Sequence, residues 1–197
     1  MKLSFIESIK YKNGEFFNLC YHQARMDKTL ANFELKKINL QNELEKVTLP
    51  DDKGLFKCRI IYGKKVESIE FSPYTILNKK KVGIVAADDI DYSFKFKDRK
   101  ALEDLKITSG LDDVIIIKNG VVTDALFSNL VFESTEGLFT PSSYLLPGTK
   151  RQFLLDSNKI KEKQILHSDI YSYQKVHFIN AMIDLEDNVN FEIGDLV

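Results

Sequence analysis

The stretch DYSFKFKDRK, residues 91–100, decides how this chain is read. Tyr92, Phe94 and Phe96 alternate with Ser93, Lys95 and Lys97, the period of two that a strand shows when one face is buried. On that reading Lys95 points away from the aromatic face. KDRKALEDLKI, just behind it, has the spacing of a helix with a charged outer side. A lysine placed at a strand end before a helix either solvates a surface or faces something that needs an amine.

Outward from this segment, FIESIKYKNGEFFNL predicts two short strands around Asn13-Gly14, a dipeptide that tolerates the positive φ of a tight hairpin. YHQARMDKTLANFELKKINLQNELEKV spaces Met26, Leu30, Phe33, Leu40, Leu44 and Val47 as two helices would, and CRIIYGKKVESIEFSPY reads as a second hairpin. Past residue 100, DDVIIIKNGVVTDALFSNLVFESTEGLFTPSS is a run of strands with another turn at Asn119-Gly120. LLPGTKRQFLLDSNKI is a loop feeding a helix at Gly148-Thr149, and YQKVHFINAMIDL predicts a last helix and strand. The fold expected is α+β in two lobes: a small one over 1–76 and a larger one over 83–197 that carries Lys95. A lysine-rich connector, LNKKKV, joins them over 77–82.

Composition narrows the function. Of 197 residues 44% are hydrophobic, and Lys plus Arg (28) nearly cancel Asp plus Glu (29), so no nucleic-acid or anionic-membrane partner is expected. No apolar run approaches the roughly 18 residues of a membrane span, and MKLSFIESIKYK has charges where a signal peptide needs an apolar stretch. Cys20 and Cys58 lack metal-ligand spacing and are too few for a disulfide framework, so a reducing cytoplasm is expected. Neither a Walker loop nor G-x-G-x-x-G is present. His22, His167 and His177 stand isolated, so no metal site is expected, and Ser128 with His177 lacks a G-x-S-x-G elbow. A lysine is the better candidate nucleophile.

Four features follow a fixed order: an upstream H-x-x-R, a lysine at a strand end, an acid followed by Ser-Asn after a hairpin, and a Gly-Thr at a helix start. From FIESIKYKNGEF to NAMIDL the chain resembles the class IV aminotransferase family, the fold-type-IV pyridoxal phosphate enzymes. These include branched-chain and D-amino acid aminotransferases and 4-amino-4-deoxychorismate lyases. The resemblance implies that Lys95 in KFKDR is the lysine that joins pyridoxal 5'-phosphate, with the cofactor at the lobe interface. It likewise implies that Asp124 in VVTDALFSNLVF pairs with the pyridine nitrogen, followed by Ser128 and Asn129. Gly148 and Thr149 in LLPGTKRQ correspond to the turn that cups the phosphate, and Arg25 in YHQAR to the arginine that reaches it. Arg59 and Tyr62 in CRIIYG lie where related enzymes present groups to a substrate carboxylate. The family usually has Glu where this chain has Asp124, and this chain is shorter than typical members, mostly in the first lobe.

The chemistry asks for these groups. An amine attacks a carbonyl only when neutral, and a lysine at its ordinary pKa of about 10.4 is neutral in about one molecule in a few thousand at pH 7. Burial among aromatic rings, or a neighbouring arginine, lowers that pKa. A carboxylate at the ring nitrogen keeps it protonated, and a phosphate needs backbone N–H donors and positive charge. The short form of the chain most resembles members that are assigned as 4-amino-4-deoxychorismate lyase, which release pyruvate and yield 4-aminobenzoate, or that are left unassigned. The alternative is an aminotransferase of branched-chain or D-amino acids with a 2-oxo acid acceptor. A small-molecule amine substrate and a homodimer are implied by the resemblance.

Overall fold

Phe5–Lys12 forms β1 and Glu15–Phe16 forms β2, reversed through Asn13 and Gly14, which hold φ at 54° and 87° as a two-residue hairpin requires. These strands belong to the computed structural model of the chain, which describes residues 3–51 and 53–197. After β2 come helices α1 (Leu19–Asn32) and α2 (Leu40–Leu44), then a hairpin of β3 (Leu55–Tyr62) and β4 (Val66–Pro73). The sheet order is β2-β1-β3-β4, antiparallel throughout. Register pairs Phe5 with Tyr62, Glu7 with Ile60 and Ile9 with Cys58, so these six share one face. Met26 and Leu30 of α1, with Leu40 and Leu44 of α2, complete the core built on that face.

The second set of elements starts with β5 (Val82–Ala86), α3 (Lys100–Ser109), β6 (Asp113–Lys118) and β7 (Val121–Val122). β5 and β6 pair in parallel, and Asn119 and Gly120, at φ 52° and 76°, turn β6 into the antiparallel β7. A five-stranded sheet follows, from β8 (Asn129–Ser134), β9 (Gly137–Pro141), β10 (Lys161–Lys163), β11 (Lys175–Ile179) and β12 (Asn190–Glu192), in the order β10-β9-β8-β11-β12. Helix α4 (Thr149–Asp156) lies between β9 and β10 in the chain, and its Leu154 packs with Val131, Ile160 and Ile179. No helix among the described residues is long and apolar enough to cross a membrane.

By its internal contacts the chain divides into two units. One runs to Thr75 and includes Phe94–Asp98; the other is Ile76–Ser93 with Arg99–Val197. The sequence reading puts Lys95 in the larger lobe, but its segment belongs to the first unit. Nor is it a regular strand. It makes one isolated bridge, Phe96 to Phe5, flanked by Ile6 N–H donating to the Lys95 carbonyl (2.9 Å) and Lys97 N–H donating to that of Ser4 (2.8 Å). The alternation is real, because Phe94 and Phe96 pack on the first core, with Phe33 at 5.0 Å from Phe94 and Phe5 at 5.4 Å from Phe96 between ring centroids. Its ladder is short because it meets β1 only over its first residues.

One other reading is corrected. The tail YQKVHFINAMIDL contains no α-helix: β11 ends at Ile179, and the Asn180 side chain then accepts the N–H groups of Met182 (2.8 Å) and Ile183 (3.1 Å). Such a turn competes with helix formation, and only a short 3-10 turn at Leu185–Asp187 follows. The connector lysines are tied down: Lys79 pairs with Asp113, while the N–H groups of Lys80 and Lys81 donate to Asp112.

Leu30 has no exposed surface and lies among the first unit's largest buried side chains. Leu30→Ala should therefore cost about 2–5 kcal/mol, read as a lower urea midpoint at unchanged slope.

Candidate functional site

In the first unit, His22 and Arg25 stand three residues apart on α1, one turn along the same helix face, and that face meets β1 at Glu7. Glu7 has no exposed surface. Its Oε1 accepts from Arg25 Nε at 2.9 Å, and its Oε2 takes a second Arg25 nitrogen, Nη2, together with His22 Nδ1 at 2.6 Å. Burial alone would raise the Glu7 pKa. The Arg25 charge and the bonds from His22 and Arg25 outweigh it, and the carboxyl is drawn down from 4.5 to about 2. Burial lowers the His22 pKa, against the pull of Glu7, and the charges of Arg25 and Lys95 lower it further. A carboxylate can only accept, so the His22 Nδ1 that faces it carries a proton.

Lys95 belongs to this unit and is half-buried between Phe94 and Phe96, close enough for its charge to act on His22. Lys95 and Arg25, predicted as site residues, therefore share the neighbourhood of one buried histidine. Arg59 and Tyr62 do not converge. Three residues apart on β3, they point to opposite sheet faces: Arg59 is half-buried across from Glu70, while Tyr62 is wholly buried against Phe5, its ring 5.6 Å away. Burial pushes up the pKa of the Tyr62 hydroxyl, which bonds with Thr29. Glu7 was not singled out from the sequence. Its signal was there, an acid between Phe5 and Ile9 on the buried parity of β1.

The second unit gathers the remaining predicted residues. Asp124 lies in the turn after β7, where its carbonyl accepts from Ile116 N–H at 2.9 Å. Its buried carboxylate carries three donors: Asn129 Nδ2 on Oδ1 at 2.8 Å, and the N–H groups of Leu145 and Leu146 on Oδ2, each at 2.9 Å. Burial is the largest influence and raises the carboxyl from 3.8 to about 6, with those donors and the Arg151 charge opposing it. Asn129 also donates to the Leu146 carbonyl at 3.0 Å, so acid and amide together clasp the loop that leads into α4.

Gly148 caps α4 without a side chain over the first turn. A Cβ there would sit 1.7 Å from Asn129 Oδ1, so close approach, and not backbone conformation, demands glycine. Thr149 is buried as the first residue of α4. The Ser128 hydroxyl accepts from Asn180 at 3.3 Å, and His177 pairs through Nε2 with Glu133 at 2.7 Å, so Ser128 and His177 have other partners. Among the described residues no group of three or more His, Cys, Asp or Glu could hold a metal ion.

Residues 93–185 match the amino-transferase class IV family. An uncharacterised protein of Haemophilus influenzae is 34% identical over 180 residues, 89% of this chain and 96% of its own. A crystal structure from Haemophilus somnus, of a protein named provisionally as a 4-amino-4-deoxychorismate lyase, superposes with a TM-score of 0.84 at 34% identity over 92% of this chain and 97% of that one. The chain belongs to the class IV aminotransferase family. Its α+β architecture is that of the fold-type-IV enzymes: a fold IV transaminase from Curtobacterium pusillum superposes with a TM-score of 0.73 over 91% of this chain and 76% of that one, at 15% identity.

Two outcomes follow from this geometry. Gly148→Ala should displace the Asn129 amide, uncouple it from Asp124 and Leu146, and lower stability by about 1–3 kcal/mol, measured by urea unfolding. The second concerns pH. Because Asp124 titrates higher when folded (about 6) than its ordinary 3.8, the folded chain holds the extra proton between those values. The stability this group supports is present below about pH 4 and lost as pH rises through about 6. Asp124→Asn should flatten the pH 4–6 slope of the urea midpoint relative to wild type. An unchanged slope would assign that titration to another group.

Proposed function

We propose that this protein is a pyridoxal-phosphate-dependent 4-amino-4-deoxychorismate lyase, which releases pyruvate and yields 4-aminobenzoate, a folate precursor. The observation that carries this reading is the near end-to-end match, at 34% identity, with the Haemophilus somnus protein provisionally given that activity. The residues fit the cofactor chemically. The first unit offers an amine, Lys95, and a cation, Arg25; the second offers a helix start free of a capping side chain at Gly148-Thr149 and a buried carboxyl, Asp124. When bound, pyridoxal phosphate supplies an electron sink for the carbon bearing the substrate amine.

The chain's own residues supply the rest. Lys95 would hold the cofactor and, as a free amine, would take the proton from that carbon; the ring carbon–oxygen bond to the enolpyruvyl group would break as the ring becomes aromatic, and the proton would pass to the departing group, which leaves as pyruvate. Asp124 would hold the ring-nitrogen proton: three donors already occupy its carboxylate, which accepts about four, and a carboxyl titrating at about 6 sits close to proton exchange at working pH. Arg25 would offer the phosphate a cation and the start of α4 would offer it backbone N–H groups, while Asn129 bonds to the loop before α4 and Ser128 to Asn180. In this reading the protein is a cytoplasmic homodimer acting on a small-molecule amine.

One experiment tests the assignment. In the lyase reaction the amine nitrogen stays on the aromatic product, so no keto acid is needed; an aminotransferase stops without one. Aminodeoxychorismate generated in place by its synthase should give 4-aminobenzoate and pyruvate over many turnovers with no keto acid added, and borohydride treatment of the loaded protein should fix the cofactor on the Lys95 peptide. Rapid turnover of branched-chain or D-amino acids with 2-oxoglutarate, and none of aminodeoxychorismate, would replace the lyase with the aminotransferase.

A further inference from the structure

Arg25 is gripped at two points. Glu7 takes its Nε with one oxygen and its Nη2 with the other, and the second oxygen is itself held by His22 Nδ1 at 2.6 Å. A guanidinium bound in this forked manner cannot turn about its own axis without breaking a bond, so the direction in which its remaining edge points is set by β1 and not by the arginine's flexible stem. Glu7 is in turn fixed by its strand, since it lies within the β1–β3 ladder opposite Ile60.

The sign of the charge separates two roles for this acid. An ionised Glu7 beside Arg25 opposes the binding of any anion there, so electrostatics alone would favour its absence. A fully buried carboxylate kept next to a cation that has to meet a phosphate makes sense as an aiming device. We propose that Glu7 is the positioning residue of the cofactor's phosphate subsite, acting through Arg25, which it holds in one orientation while His22 holds Glu7. The proposal rests on the reading that Arg25 meets the phosphate of pyridoxal phosphate.

The test compares pyridoxal phosphate with pyridoxal, which lacks the phosphate, by spectroscopic titration of the full chain. The ratio of the two dissociation constants measures what the phosphate contributes. In Glu7→Gln, nearly the same shape without the charge, that ratio should fall about 10- to 100-fold, the scale on which loss of an orienting partner is felt at other ligand sites, while pyridoxal affinity stays within about twofold. In an Arg25→Met background the same Glu7 change should move the ratio no further. A general loss of structure would instead weaken both ligands alike and do so in both backgrounds. An unchanged or increased ratio in Glu7→Gln, alongside a lowered one in Arg25→Met, overturns the positioning role and leaves the phosphate reading standing. A wild-type ratio near one, or one indifferent to Arg25→Met, overturns both. Should circular dichroism show that Glu7→Gln does not fold, the wild-type protein decides: the Arg25 Nε–H resonance should be sharp and protected from solvent exchange before ligand is added, and should shift with pyridoxal phosphate but not with pyridoxal. A rapidly exchanging resonance, or an equal response to both ligands, counts against the proposal.

Discussion

A carboxylate with no exposed surface organises the first unit. Taking the Glu7 charge out of water is tolerable only because three charge-assisted or polar bonds meet it, and all three come from one face of α1. The pairing fixes the rotation of the helix over the sheet. With His22 and Arg25 turned to β1, Met26 and Leu30 fall on the same side, among Phe5, Ile9, Ile60 and Tyr62. Breaking such a buried pair costs about 3–5 kcal/mol because a lone charge is left behind, so helix placement and charge satisfaction stand or fall together.

The second unit meets a similar demand with different means. Asp124 is also buried, but its donors are a side-chain amide and two backbone N–H groups, with only the charge of Arg151 assisting. Dipoles stabilise an anion less than adjacent cations do, so one acid titrates near 2 and the other near 6. Glu7 is therefore a permanent anion that can hold a cation still, whereas Asp124 can gain a proton under mild conditions. That division suits the roles proposed for them, one aiming an arginine and the other standing opposite a ring nitrogen.

Asp124 also shows how a chemical group can double as a structural one. Its two oxygens pin residues 145 and 146 and, through Asn129, bring the chain so near that residue 148 must be glycine. The start of α4 is thereby located by the same carboxyl that the proposed chemistry uses. A substitution at Asp124 thus bears on the loop before α4 as well as on the acid itself, which is why stability and turnover have to be measured side by side in this region.

Much of this was legible in the sequence because it is local. Asn-Gly pairs force positive φ, and both hairpins form at Asn13-Gly14 and Asn119-Gly120; period-2 aromatics at Phe94 and Phe96 do face the core; Gly148-Thr149 does open a helix. The order of Arg25, Lys95, Asp124, Ser128, Asn129 and Gly148-Thr149 was enough to point to the family that the comparisons establish. The tail was misread because a single Asn180 side chain, bonding the N–H groups of the two residues that follow it closely, replaced a helix with a turn. What only the tertiary structure decided is which distant groups meet: Glu7 with His22 and Arg25, the Lys95 segment with β1, Asp124 with the loop before α4, and Arg59 and Tyr62 on opposite faces. Periodicity states which face a residue lies on. Which partner waits on that face depends on the packing of segments far apart in the chain, and the charge state of a buried acid depends on that partner.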